Sequence, residues 1–298
     1  VLGAGAIGGL WALRLATAGT AVTLLAHDEN TPTRTLTLQD GERFSTHCFA
    51  QENVRAASTI SHLLVATKAN RTADALAPLL PQLQPHTLIL LLQNGLGVDD
   101  WLCAQRPDIR VLTGITNEGV YRHERDYLIR AGAGETMLGS TLAEHENLAQ
   151  QTAETFSHTG WPVQFIDNIK YRRWQKFAIN CLINPLTARY RCRNGELLNN
   201  PEALATMRAI STELAQVMQA EGFNVHADAL WTDALHVAEI TGANTSSMLA
   251  DVLAQRETEI NFINGYLLQK ALQHHIDVPV NTALVKEVQA LAHMPPSR

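Results

Sequence analysis

VLGAGAIGG (Val1–Gly9) runs into an apolar helical pattern through Leu10, Leu13, Leu15 and Ala16 to Gly19, and then into AVTLLA (Ala21–Ala26). The order reads as a strand, a glycine turn, a helix and a second strand, which is one βαβ unit. Gly3-x-Gly5-x-x-Gly8 opens the helix. Free N–H groups and the helix dipole at such an N-terminus favour negative charge, and side chains there would keep a pyrophosphate away from the backbone. Gly3, Ala4, Gly5, Ala6, Ile7 and Gly8 are therefore read as a dinucleotide cradle; a tight glycine turn without a ligand is the competing reading. Only two residues precede the turn, where a strand normally has about five to six, so a short N-terminal piece is expected before Val1.

Outward from that unit, the first half keeps strand patterning. LTLQDGERFS (Leu36–Ser45) alternates around Asp40-Gly41, a hairpin signal. HLLVATK (His62–Lys68) and LILLLQ (Leu88–Gln93) have the length of buried strands, and ADALAPLLPQL between them is helical with breaks at Pro78 and Pro81. VLTGIT (Val111–Thr116), YLIRAG (Tyr127–Gly132), TMLG (Thr136–Gly139) and PVQFID (Pro162–Asp167) are further short strands, and 142–160 is an amphipathic helix ending at Gly160. After Asp167 strand signals nearly vanish. The stretches 170–190, 203–221, 227–240, 247–274 and 281–293 carry apolar residues at three and four spacing. The expected fold is α/β: an N-terminal Rossmann dinucleotide-binding domain over 1–167, followed by an all-helical C-terminal domain over 168–298. A length of 298 residues suits two domains.

Composition narrows the function. The chain is 46% hydrophobic and 17% charged, which supports packed cores and excludes a disordered chain. Lys and Arg number 23 against 29 Asp and Glu, a net charge of −6, and the densest basic run, YRRWQK (Tyr171–Lys176), is short. Nucleic acid is therefore not an expected partner. The longest apolar run, Leu88–Gln93, falls far below the roughly 20 residues that span a bilayer, so no membrane segment is expected. The residues from Val1 show neither a basic region followed by an apolar stretch nor a cleavage site, so secretion is not expected, and four cysteines without a CxxC pair suit a reducing compartment, so the expected location is the cytoplasm. The twelve His show no HxxxH or HExxH spacing, and no metal site is expected.

Ligands of open α/β sheets bind beyond the carboxyl ends of the strands. Lys68 and Asn94 close two strands there, although each alone also reads as ordinary turn chemistry. His27 and Asp28 close the second strand and point opposite ways: a basic group suits a ribose 2′-phosphate, an acidic one a 2′-hydroxyl, and both also read as solvated loop residues. The most informative stretch is WQKFAINCLINPLTA (Trp174–Ala188). Lys176, Asn180 and Asn184 recur every four residues, so they share one helix face, each displaced about 40° from the last. A polar stripe on an apolar helix is costly unless it lines a wet or ligand-filled cleft; a solvent-facing stripe is the alternative. Pro185 is expected to end or kink this helix. Ser246 and Ser247 stand at a helix start, where Ser is usually an N-cap, and Glu257 and Glu259 read equally as surface charges.

Taken together, GAGAIG (3–8), TK (67–68), NGLG (94–97), KFAINCLINPLTA (176–188), NGEL (194–197), SSML (246–249) and TEINFING (258–265) resemble the ketopantoate reductase (2-dehydropantoate 2-reductase) family over essentially the whole chain. The resemblance implies NADPH-dependent reduction of 2-dehydropantoate to (R)-pantoate, on the way to pantothenate and coenzyme A. It implies Lys176 as general acid, and Asn94, Lys176, Asn180, Asn184, Asn194 and Ser247 as substrate contacts. The cofactor contacts it implies are the glycine turn, His27, Lys68, Asn94 and Glu259. His27 stands where the family often has Arg, with Lys68 or Arg34 available to take the 2′-phosphate, so NADPH and NADH both stay open. A reductase of another small 2-keto acid and a non-catalytic dinucleotide sensor are the alternatives, and a homodimer is compatible with either.

Overall fold

The computed structural model describes residues 1–27, 31–55, 57, 59–158 and 160–291. The chain divides into two compact units, one of Val1–Asn94 with Val98–Lys170, the other of Gly95–Gly97 with the residues from Tyr171 onward.

The first unit is a mixed α/β layer structure. Its elements are α1 (Ala6–Thr17), β1 (Thr23–Ala26), β2 (Thr33–Asp40), β3 (Arg43–Asn53), β4 (His62–Val65), α2 (Ala69–Leu76), β5 (Leu88–Leu91), α3 (Val98–Gln105), β6 (Arg110–Thr116), β7 (Gly119–Glu124), β8 (Tyr127–Gly132), β9 (Thr136–Gly139), α4 (Glu146–Ser157) and β10 (Val163–Phe165). Among the described residues the strands lie in the orders β1-β3-β2-β8-β7 and β10-β9-β6-β5-β4. Leu2 joins the two sets, bridging in parallel to Leu25 of β1 and to Val65 of β4. Its N–H donates to the Leu64 carbonyl at 2.8 Å, and its carbonyl accepts from Ala66 at 2.9 Å. The unbroken apolar runs of β4 and β5 reflect burial on both faces. Leu63, Val65, Ile89 and Leu91 pack with Leu76 of α2 and Leu102 of α3. Leu64, Leu90 and Leu112 pack oppositely with Trp11 of α1 and Ala149 and Ala153 of α4. Each such side chain contributes about 1.5–3 kcal/mol when buried.

The second unit is helical: α5 (Ile169–Tyr190), α6 (Pro201–Ala220), α7 (Ala227–Ile240), α8 (Ser247–Leu253), α9 (Asn264–Gln273) and α10 (Pro279–Leu291). Phe177, Leu182 and Leu186 of α5 share one core with Met207 and Ile210 of α6, Leu267 of α9 and Leu284 of α10. The α/β class, with a sheet region first and helices after it, is as the sequence pattern implied.

Several elements differ from expectation, each for a physical reason. The hairpin at Asp40-Gly41 pairs from Asp40↔Arg43 out to Thr33↔Ala50, because β3 continues through residues that are mostly exposed and show little apolar alternation. The edge strand β7 is likewise mostly exposed. α3, only eight residues long, is too short to display a period. The helix expected over 142–160 starts at Glu146, after the 3-10 turn Ala143–His145. The single helix expected over 247–274 is two helices: α8 stops at Leu253, and Gln255 adopts φ 53°. Arg256 then folds back on Asp251, its N–H donating to the Asp251 carbonyl at 2.8 Å and its Nε to the carboxylate at 3.0 Å. Pro185 does not end α5, which continues to Tyr190.

Candidate functional site

In the first unit the glycine turn divides its labour by position. Gly3 has φ 88°, and a methyl group on it would stand 2.6 Å from the Thr67 amide nitrogen. At Gly8 such a group would overlap the Gly3 carbonyl oxygen, so the helix can approach the turn only without a side chain. At Gly5 it would meet no atom within 4 Å. Gly5 is also the N-cap of α1 and contributes no side-chain cap to the first-turn N–H groups. Two glycines are thus required by the fold, while the third leaves open space in front of a helix N-terminus. That arrangement fits a pyrophosphate.

Leu2, β1, β4 and β5 run parallel, so the residues after them emerge on one edge. Gly3, His27, Lys68 and Asn94 all lie there. His27 and Lys68 are exposed, and Asn94 is half-buried. Gln93 ties the end of β5 to the loop after β4 through the Thr72 hydroxyl, which lies 2.8 Å from that of Thr67. Asp28 lies outside the described residues. Arg34, the reserve partner for a 2′-phosphate, is engaged instead: its Nε donates to Asp126 at 2.7 Å. A different arginine comes to this edge. β3 runs parallel to β1 with Asn53 beside Ala26; Asn53 Nδ2 donates to the His27 carbonyl at 2.8 Å, and its Oδ1 accepts from the Arg55 N–H at 2.9 Å. The spacing from the glycine turn points to the end of β1, not to the strand beside it that leads to Arg55.

In the second unit, α5 places Lys176, Asn180 and Asn184 on its half-buried face, while Phe177, Cys181, Leu182 and Ile183 are buried. Burial pushes the Lys176 ammonium down from its usual 10.5 to about 8, and the Glu259 carboxylate pulls it the other way. Glu259 is buried and Glu257 exposed, which separates the two carboxylates that spacing left equivalent. Glu259 caps the short 3-10 turn Ile260–Phe262, its carbonyl accepting from Phe262 at 2.9 Å.

Asn194 and Ser247 belong to the same unit. Asn194 is 8% exposed; its Nδ2 donates to Thr241 Oγ1 at 2.9 Å, and its Oδ1 is buried with no hydrogen-bond partner among the described residues. Ser247 is the exposed first residue of α8. Its buried neighbour Ser246 is the N-cap, accepting from the Leu249 N–H at 3.1 Å. The loop Gly95–Gly97 belongs to this unit by its packing: a methyl group on Gly95 would stand 2.7 Å from the Phe262 carbonyl oxygen, and one on Gly97 2.7 Å from the Tyr266 ring. The expected site residues therefore fall into two sets. The glycine turn, His27, Lys68 and Asn94 are in the first unit; Lys176, Asn180, Asn184, Asn194, Ser247 and Glu259 are in the second.

Residues 1–142 match the sequence profile of "Ketopantoate reductase PanE/ApbA", and residues 168–292 match that of its C-terminal domain. The chain belongs to this family. The 2-dehydropantoate 2-reductase of Vibrio cholerae is 38% identical over 98% of this chain and 96% of its own length. The crystal structure of the PanE/ApbA-family ketopantoate reductase of Ralstonia eutropha superposes with a TM-score of 0.86 at 25% identity, covering 98% of this chain and 97% of that one. A D-mandelate dehydrogenase solved with NADH and anilino(oxo)acetate shares the fold at a TM-score of 0.87 and 21% identity, covering 98% and 97%. The ketopantoate reductase family is one of dinucleotide-dependent oxidoreductases, and this member is accordingly an enzyme with a small-molecule substrate. Among the described residues no helix is long and apolar enough to cross a membrane, and no group of three or more His, Cys, Asp or Glu side chains is gathered as a metal would need.

Proposed function

We propose that the chain reduces the C2 ketone of 2-dehydropantoate with NADPH to give (R)-pantoate, in the cytoplasm, as a step toward pantothenate and coenzyme A. In this reading residues 1–167 form the nucleotide-binding domain and 168–298 the substrate domain. The observation that carries it is the ammonium of Lys176, brought to about 8 on the polar face of a buried helix beside the buried carboxylate of Glu259. Family membership and the 38% identical Vibrio cholerae relative support the substrate.

Bound reduced nicotinamide supplies a hydride to the ketone carbon. The carbonyl π pair then moves onto oxygen, and Nζ of Lys176 both stabilises that charge and delivers the proton that completes the hydroxyl. A lysine near 8 is still mostly protonated at neutral pH yet releases its proton far more readily than an exposed one. Asn180 and Asn184 donate and accept without changing charge, which suits a substrate bearing hydroxyl, ketone and carboxylate groups. Asn94 and Ser247 complete the substrate contacts. The unsatisfied Oδ1 of Asn194 takes a substrate hydroxyl, relieving the cost of a buried acceptor left alone. The glycine turn, Lys68 and Glu259 hold the cofactor, and His27 with Arg55 takes the 2′-phosphate.

Initial rates with 2-dehydropantoate and each nicotinamide, for the parent and Lys176→Ala, test the reading. Lys176→Ala is expected to lower kcat by about 10² to 10⁴, the usual span for a positioned proton donor. Absence of nicotinamide oxidation by the parent would overturn the assignment. A higher kcat/KM with another small 2-keto acid would move the substrate, and dinucleotide binding without turnover in either form would leave only a sensor.

A further inference from the structure

Pro185 lies inside α5. Proline has no N–H, so the carbonyl four residues back loses its helical donor. That carbonyl belongs to Cys181, which has no exposed surface and directly follows Asn180. A buried acceptor left without a donor costs about 1–3 kcal/mol. Here a donor arrives from elsewhere: Nδ2 of Asn264, the first residue of α9, meets the Cys181 carbonyl at 3.2 Å. The same amide donates to Asn281 Oδ1 at 2.8 Å. Asn281 Nδ2 in turn donates to Glu213 Oε2 at 2.8 Å, and the Val280 and Asn281 N–H groups donate to the two carboxylate oxygens at 2.8 and 3.0 Å. Asn264 and Asn281 are 0% exposed and Glu213 8%.

The polarity of this relay is set from its far end. A carboxylate only accepts, so Asn281 turns its NH₂ toward Glu213 and its oxygen toward Asn264. Asn264 must answer with its own NH₂, whose second hydrogen is then left for Cys181. An aliphatic side chain at 264 strands both acceptors.

We infer that Asn264 is a positioning residue for the reaction, supplying the hydrogen bond that Pro185 deletes and thereby fixing the turn of α5 between Asn180 and Asn184 to the segment that carries Glu259. The tether is short: Asn264 follows the 3-10 turn that Glu259 caps, and the Ile263 N–H donates to the Glu259 carbonyl at 3.1 Å. Proline at 185 makes the junction depend on α9 instead of on the helix itself. The inference rests on the roles proposed above for Lys176, Asn180, Asn184 and Glu259.

A double-mutant cycle tests it. Asn264→Leu is made in the parent and in Pro185→Ala, where the restored N–H of residue 185 serves the Cys181 carbonyl, and kcat per folded molecule, KM and Tm are measured for all four proteins with NADPH and 2-dehydropantoate. Asn264→Leu is expected to lower kcat by about ten- to a hundredfold, as sub-ångström misplacement of reacting groups does, with a much smaller loss in the Pro185→Ala background. An equal loss in both backgrounds, or an unchanged kcat per folded molecule in Asn264→Leu, overturns the inference. If Asn264→Leu fails to fold, recovery of folded protein by adding Pro185→Ala supports it and failure to recover overturns it. The Tm cycle needs no turnover: a parent that does not reduce 2-dehydropantoate refutes the functional reading, whereas additive Tm effects at 185 and 264 refute this inference alone.

Discussion

The hydroxyls of Thr187 and Ser246 lie 2.7 Å apart and link α5 to the N-terminus of α8. Their donors run in one direction. The Leu249 N–H donates to Ser246 Oγ at 3.1 Å, Ser246 to Thr187, and Thr187 to the Asn184 carbonyl at 2.8 Å. Ser246 is thus both a cap and a cross-link, which places its neighbour Ser247 relative to the polar face of α5. Thr187→Val keeps the shape but leaves the buried Ser246 hydroxyl without an acceptor, and should cost about 1–3 kcal/mol in urea unfolding. It should also raise KM for 2-dehydropantoate, with Thr187→Ser close to the parent in both. Equal KM values in parent and Thr187→Val would separate Ser247 from the substrate.

The pH behaviour of Lys176 has a definite sign. A general acid is competent while protonated, so kcat should fall as pH rises through about 8. Glu259 is the charge that holds this value up against burial. Glu259→Gln should therefore move the descending limb to lower pH, besides lowering kcat. Stability follows from the same values. The folded-state pKa of about 8 lies below the ordinary 10.5, so between them the unfolded chain binds more protons and stability rises with pH. Relative to Lys176→Met, the parent should gain stability between pH 8 and 10.5 and show a constant difference below 8. A limb that stays in place in Glu259→Gln would remove the carboxylate from the electrostatics of the ammonium.

Features carried by neighbouring residues were legible in the sequence. The βαβ unit shows itself through Gly3, Gly5 and Gly8 between two apolar runs, and the stripe of Lys176, Asn180 and Asn184 follows from helical period alone. What depended on distant partners was hidden. Pro185 announces an unserved carbonyl, yet its donor Asn264 is 83 residues from Cys181. Nothing in α1 points to Glu118, which pairs with the buried Arg14 from 104 residues away. The break between α8 and α9 was hidden because both pieces carry apolar residues at three and four spacing, with only the short polar stretch 255–259 between them. Glu257 and Glu259 differ only in burial, a property that two-residue spacing outside a strand does not encode.

The glycine turn predicts a separation between stability and binding. Gly8→Ala pushes a methyl into the Gly3 carbonyl, and Gly3→Ala adds a positive φ to a clash with Thr67, so both should lower Tm substantially. Gly5→Ala meets no protein atom, and its φ of −82° suits an ordinary residue. Its Tm should stay near that of the parent while the Kd for NADPH, followed by nicotinamide fluorescence, rises by about tenfold or more. Unaltered NADPH binding in Gly5→Ala would show that no pyrophosphate approaches this turn.

Arg55 bears on which nicotinamide is preferred. An imidazole lacks the fork of donors that matches phosphate oxygens, so His27 by itself is a poor anchor for a 2′-phosphate. Arg55 reaches the same strand edge through Asn53, whose side chain joins the His27 carbonyl to the Arg55 N–H. A guanidinium there carries a permanent charge and a fork of donors that match phosphate oxygens. A charged hydrogen bond of about 1.5–3 kcal/mol corresponds to roughly ten- to a hundredfold in Kd. Arg55→Ala should therefore weaken NADPH by about that factor while leaving NADH within about twofold, since NADH lacks the phosphate that the arginine would meet. The difference should shrink as salt is raised, because an exposed ion pair is screened. Parallel losses for both nucleotides would mean that Arg55 acts on the fold of the strand edge, and no loss for either would leave the 2′-phosphate to Lys68.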